Sequence, residues 1–127
     1  MKKILLIALL FLSVKFIYAD QLAWITKEQA VKTVEYFNEH DIKSVVLWCA
    51  CCDNDTKLKV KVSRIYYKAV EGYTYYEVWI EGKDPEGKRL KQAVDLAYVH
   101  VKKDGEYNCL GKLLEFECDP CTKPFKL

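Results

Sequence analysis

The sequence predicts an α+β domain: one N-terminal helix packed on a four- to five-stranded antiparallel meander sheet, with a disulfide-stapled C-terminal tail. Three observations predict it. One capped amphipathic stretch runs over residues 26–39. From residue 44 to 110 short alternating or wholly apolar segments are punctuated by Gly, Asn, Asp and Pro, the pattern of strands and turns. Six cysteines fall into two groups, Cys49, Cys51 and Cys52 on the first apolar strand and Cys109, Cys118 and Cys121 near the end. With 127 residues there is room for one domain, not for a TIM barrel or a full dinucleotide-binding sheet. A hydrophobic content of 51%, with 13% aromatics, is too apolar for a solvated, disordered chain.

Residues 1–19 read as a signal peptide, leaving 20–127 as a single secreted α+β domain. Lys2 and Lys3 precede the apolar run Ile4–Leu12, and Ile17 and Ala19 supply acceptable residues for cleavage after Ala19. The run is too short for the ~20 residues a bilayer core requires, and Lys15 interrupts its continuation. The expected destination is periplasmic or extracellular, with no stable membrane anchor after cleavage. Removing Lys2, Lys3 and Lys15 from a chain with 20 basic and 18 acidic residues leaves a net charge of −1. That balance, with no basic helix and no aromatic–basic RNA motif, gives no case for a nucleic-acid partner.

Thr26 is a good N-cap, and Gln29 completes a capping box. Ala30, Val31, Val34 and Phe37 then recur at helical spacing, which predicts a helix over about Lys27 to Glu39. Ser44 to Cys52 is apolar on both faces, so that strand needs cover above and below. Lys57 to Val62 alternates strictly, with Leu58, Val60 and Val62 inward and the lysines outward. The parity then changes, which a β-bulge near Ser63–Arg64 explains. Glu71-Gly72 reads as a two-residue hairpin turn into a strand over Tyr73–Glu81. A longer turn over 82–87 leads to one strand from about Leu90 to Lys102. Lys103-Asp104-Gly105-Glu106 turns again into a short strand over Tyr107–Leu110. This order, helix first and hairpin-linked strands after, resembles cystatin-type inhibitors in outline; the Gln-x-Val-x-Gly loop of that family does not occur in the chain.

The even cysteine count, with an export signal, points to disulfides, and at least one bond between the two clusters is expected. Such a bond closes a loop of about sixty residues, worth ~4 kcal/mol by chain entropy. Two other readings compete. Trp48-Cys49-Ala50-Cys51-Cys52 contains W-C-x-x-C, which locally resembles the thioredoxin active site and would make Cys49 and Cys52 a redox pair. Asp53 and Asp55 beside it would raise a thiol pKa, and no βαβ pattern surrounds it. Cys49, Cys52, Cys118 and Cys121 have the paired spacing of a four-thiolate zinc site, but two cysteines would be left over. Neither a metal nor a cofactor is therefore expected.

No other catalytic set stands out. Ser44 and Ser63 lie in no G-x-S-x-G elbow, and there is no phosphate-binding glycine loop or H-E-x-x-H helix. His40 reads as a helix-end residue and His100 as a strand residue. The informative surface is aromatic. With a two-residue turn, Tyr66 faces Glu77, Arg64 faces Trp79 and Lys68 faces Tyr75, placing cations beside rings. Tyr, Trp and Arg anchor protein interfaces, so Arg64, Tyr66, Tyr75, Glu77 and Trp79 form the predicted binding face. The reading is a small exported non-enzymatic binding protein, of inhibitor or immunity type, acting on a protein partner.

Overall fold

The computed structural model describes residues 24–49, 56–116 and 123–127. Residues 1–19, expected to be a signal peptide, and Cys51, Cys52, Cys118 and Cys121 lie outside the described residues. The architecture is α+β: one long helix and a six-stranded antiparallel sheet.

Helix α1 spans Lys27–Glu39 as the sequence predicts. Gln29 N–H donates to Thr26 Oγ1 at 3.1 Å, and Thr26 N–H donates to Gln29 Oε1 at 3.0 Å, so the capping box is complete. The buried face is rotated from the expected one. Ala30, Thr33 and Phe37 are buried, while Val31 and Val34 stay half-buried. Thr33 can occupy the buried face because its hydroxyl donates to Gln29 O at 2.7 Å, leaving only its methyl to pack.

The strands are β1 (Ser44–Leu47), β2 (Leu58–Ala69), β3 (Tyr76–Lys83), β4 (Arg89–Val94), β5 (Val99–Lys103) and β6 (Glu106–Cys109), in the spatial order β4-β3-β2-β1-β5-β6. β1 is central and shorter than expected, ending at Leu47 instead of Cys52. Its double burial holds: Val45 and Val46, pointing to opposite faces, are both 0% exposed.

Two expectations fail here. The predicted single strand over 90–102 is two strands, split by a 3₁₀ turn at Leu96–Tyr98. Asp95 makes the break: its Oδ1 accepts from Ala97 N–H at 2.9 Å, and its carbonyl accepts from Tyr98 N–H at 2.9 Å. The sheet is consequently six-stranded and not a simple meander, because β5 crosses to pair with β1. The hairpin turn is also longer than Glu71-Gly72. Val70 N–H donates to Tyr75 O at 2.9 Å and Tyr73 N–H to Val70 O at 3.1 Å, so four residues form the loop. The register slips by two: Tyr66 faces Trp79, Lys68 faces Glu77 and Arg64 faces Glu81. A slip of two preserves every residue's face, so only the partners change.

The bulge falls where expected, between Val62 and Arg64. It shapes the whole sheet. Five Cα steps join Val94 to Val99 and span at most about 18 Å. In a flat sheet these residues would be over 30 Å apart, given four strand spacings of ~4.8 Å and the length of β2 at ~3.3 Å per residue. The sheet must therefore curl strongly, and β2 bends at its bulge. Gly82 makes that bend possible, since a Cβ there would lie 2.2 Å from Lys61 O. The curled sheet and α1 enclose one core, including Ala30, Phe37, Val45, Val60, Ile80 and Leu110. A short turn of helix, α2 (Leu110–Leu113), follows β6 where extended chain was expected for Leu110.

Candidate functional site

The sheet's outward face divides at the bulge into two halves. On the β2–β3–β4 half, alternation and register bring Arg64, Tyr66 and Lys68 beside Glu77, Trp79 and Glu81. Tyr66 and Trp79 stack at 6.5 Å between centroids with planes 11° apart. Arg64 lies 4.3 Å from the Tyr66 ring centre, and Lys68 lies 4.5 Å from that of Trp79 and 5.6 Å from that of Tyr66. Arg64 Nη1 also reaches Glu81 Oε2 at 3.4 Å. The cations therefore bracket a two-ring platform from both ends. The rings are half-buried and the cations exposed, so apolar area and charge are both offered to solvent. Trp79 Nε1 is buried with no hydrogen-bond partner.

The predicted pairs Arg64–Trp79 and Lys68–Tyr75 are corrected by the two-residue slip to Arg64–Tyr66 and Lys68–Trp79. Four of the five predicted face residues come together: Arg64, Tyr66, Glu77 and Trp79. Tyr75 does not join them. It stacks on Trp24 at 5.7 Å, and Tyr73 meets the same ring tilted by 44° at 4.7 Å, where the chain entering α1 is held by reciprocal backbone bonds between Ile25 and Tyr76. Sequence reasoning missed Trp24 altogether. Lys68, used as a pairing partner but not counted in the face, belongs to it on geometry.

On the β1–β5–β6 half the same residue types are covered. Tyr107 and Phe125 exchange backbone hydrogen bonds at 2.7 and 3.1 Å, adding the chain end to the edge of β6. Phe125 stacks on Tyr107 at 5.5 Å and meets Trp48 edge-on at 4.8 Å and His100 at 5.3 Å. Lys57 Nζ stands 4.1 Å above Trp48. His100 is 0% exposed. Burial, foremost, holds its imidazole below the ordinary histidine pKa, and the Lys57 charge adds to this. The backbone at Val46 and Tyr98 pulls the other way, more strongly than Lys57 but less than burial, without a well-formed hydrogen bond to either ring nitrogen. His100 is thus a neutral core residue beneath an aromatic cover.

Cys49 follows β1 and Cys109 ends β6, its sulfur 3.5 Å from the carbonyl oxygens of Leu96 and Ala97. Neither is a free thiol. Among the described residues no three His, Cys, Asp or Glu side chains group in a way that could hold a metal ion. Nor is any described helix long and apolar enough to cross a membrane. The chain matches no family model, no characterised protein and no solved structure.

Proposed function

We propose that the protein is a small exported binding domain without chemistry of its own, which docks a protein partner on the outward β2–β3 face in the manner of an inhibitor or immunity protein. The observation that carries this is the Tyr66–Trp79 stack, bracketed by Arg64 and Lys68 and half-open to solvent. Rings of this kind offer a large contact area with few rotatable bonds to freeze, and flanking cations add polar anchors, the composition of an interface hot spot. The described chain end, which could have covered this half, lies on the other one.

The tail is stapled, in this reading, by at least one disulfide between the strand cluster of Cys49, Cys51 and Cys52 and the tail cluster of Cys109, Cys118 and Cys121. Two observations support it: Cys49 and Cys109 are not free thiols, and the Phe125 bridge to Tyr107 brings the chain end back to the half of the sheet that carries both. Such a staple would hold the scaffold rigid and keep Phe125 in place.

Affinity capture from the exported fraction tests the assignment, with Tyr66→Ala and Trp79→Ala as paired variants and circular dichroism as the check on folding. Both variants should lose a partner that the wild type retains. Equal capture by all three proteins overturns the docking face. Turnover in an insulin-reduction assay that is lost in Cys49→Ser would replace the binding reading with thiol–disulfide exchange through Cys49 and Cys52.

A further inference from the structure

The outward face carries a second feature beside the aromatic platform, at the bulge of β2. Lys61 stands opposite Lys83, and Lys83 opposite Arg89, so three cations occupy facing positions on three neighbouring strands. The Cα atoms of each facing pair are about 5 Å apart, and like charges placed directly opposite repel. None of the three takes an ion-pair partner among the described residues. Glu81, the preceding outward residue of β3, is drawn toward Arg64. The bulge opens a cavity of about 570 Å³ lined by Lys61, Lys83, Arg89 and Lys91, with Ser63 and Glu81. A second cavity of about 440 Å³ shares Lys61 and Lys83 and adds Lys43 and Lys59, together with Asp84, whose carboxylate accepts from Glu86 N–H and Lys88 N–H. Of these six cations only Lys43 has an ion pair among the described residues, to Asp41 at 2.9 Å.

We propose that the two adjoining cavities form an anion-binding groove that takes an acidic polypeptide segment, a run of Asp or Glu side chains belonging to the protein partner. This rests on the reading of the outward face as a protein-docking surface and adds the partner's chemistry. A row of unneutralised cations is a standing repulsion in the fold, and a bound polyanion relieves it. Lys59 and Lys61 follow one another along β2 at about 6.7 Å, the spacing of alternate side chains in an extended chain. Arg89 adds a planar fork suited to carboxylate. Neither cavity has an aromatic ring in its described lining, so what the groove itself offers a ligand is charge. Glu81 lines the first cavity and reaches Arg64 of the platform at 3.4 Å, so one polypeptide can engage both.

Fluorescence anisotropy on the full chain tests this with three probes: labelled decaglutamate, an oligothymidylate of equal charge, and phosphatidylserine vesicles. Decaglutamate should bind best, and more weakly as salt rises. The double reversal Lys83→Glu/Arg89→Glu, at two exposed positions, should weaken it on the order of tenfold or more. Lys32→Glu on α1 should leave it unchanged. Trp79→Ala should keep decaglutamate binding while losing partner capture, so the groove and the docking platform fail separately. The groove is overturned if decaglutamate does not bind, if the double reversal leaves its affinity unaltered, or if the oligothymidylate or the vesicles bind more tightly.

Discussion

The two halves of the outward sheet face are built from the same kinds of side chain and differ in what lies on them. On the β1–β5–β6 half, Lys57 sits over Trp48, and Phe125 folds down beside it until His100 has no exposure. On the β2–β3–β4 half, Arg64 and Lys68 sit over Tyr66 and Trp79 in much the same way, and the rings remain half-open. A cation over an aromatic ring is therefore a satellite core in one place and an exposed platform in the other. Residue type does not distinguish the two; the cover does. One backbone bridge, Tyr107 to Phe125, makes the difference.

The largest effect should come where the halves join. Gly82→Ala places a Cβ against the Lys61 carbonyl, a backbone atom that cannot rotate away. A loss of about 3 kcal/mol or more is expected in chemical denaturation, with both halves disturbed together. Next, Phe125→Ala removes the cover of the closed half alone. It should cost ~2 kcal/mol, below the range for a fully buried ring because Phe125 is only half-buried, and it should leave partner capture intact. If capture falls as well, the halves are not independent.

Acid should separate the halves through His100. Its pKa is lowered in the folded protein, so the unfolded chain binds the proton more readily. Stability is then full above the unfolded histidine value near 6.5 and declines as pH falls below it toward the folded value. His100→Gln should flatten this part of the pH–stability curve, and Phe125→Ala should reduce its slope by letting water reach the ring. An unaltered curve in His100→Gln would mean that other groups set the acid response. On the open half, Trp79→Ala should cost only ~1 kcal/mol of stability while removing capture. Arg64→Ala should be smallest, under about 0.5 kcal/mol, because its pair with Glu81 is solvent-exposed on the arginine side.

Much of the local structure was legible because its causes are local. The Thr26/Gln29 capping box and the change of parity after Val62 involve neighbours in the chain, and both the helix limits and the bulge agree. The hairpin faces survived a wrong turn length because strand periodicity is two and the slip was two. Three features were not legible. The break at Asp95 is hidden in an otherwise strand-like run; an Asx-turn residue in mid-strand was the available signal. The basic groove escaped notice because a net charge sums over the chain, whereas Lys61, Lys83 and Arg89 become neighbours only through β-pairing. Tyr75 was assigned to the platform from hairpin register alone, without the Trp24 ring that engages it from outside the hairpin.

The sequence by itself determined the limits of α1, the place of the bulge and the inward–outward alternation of β2 and β3, since these follow from capping, periodicity and the pleat. Only the tertiary structure decided which outward residues meet, and which of them stay open. Strand order, the curl at Gly82 and the return of Phe125 join residues far apart in the chain, and no local rule of spacing encodes such contacts.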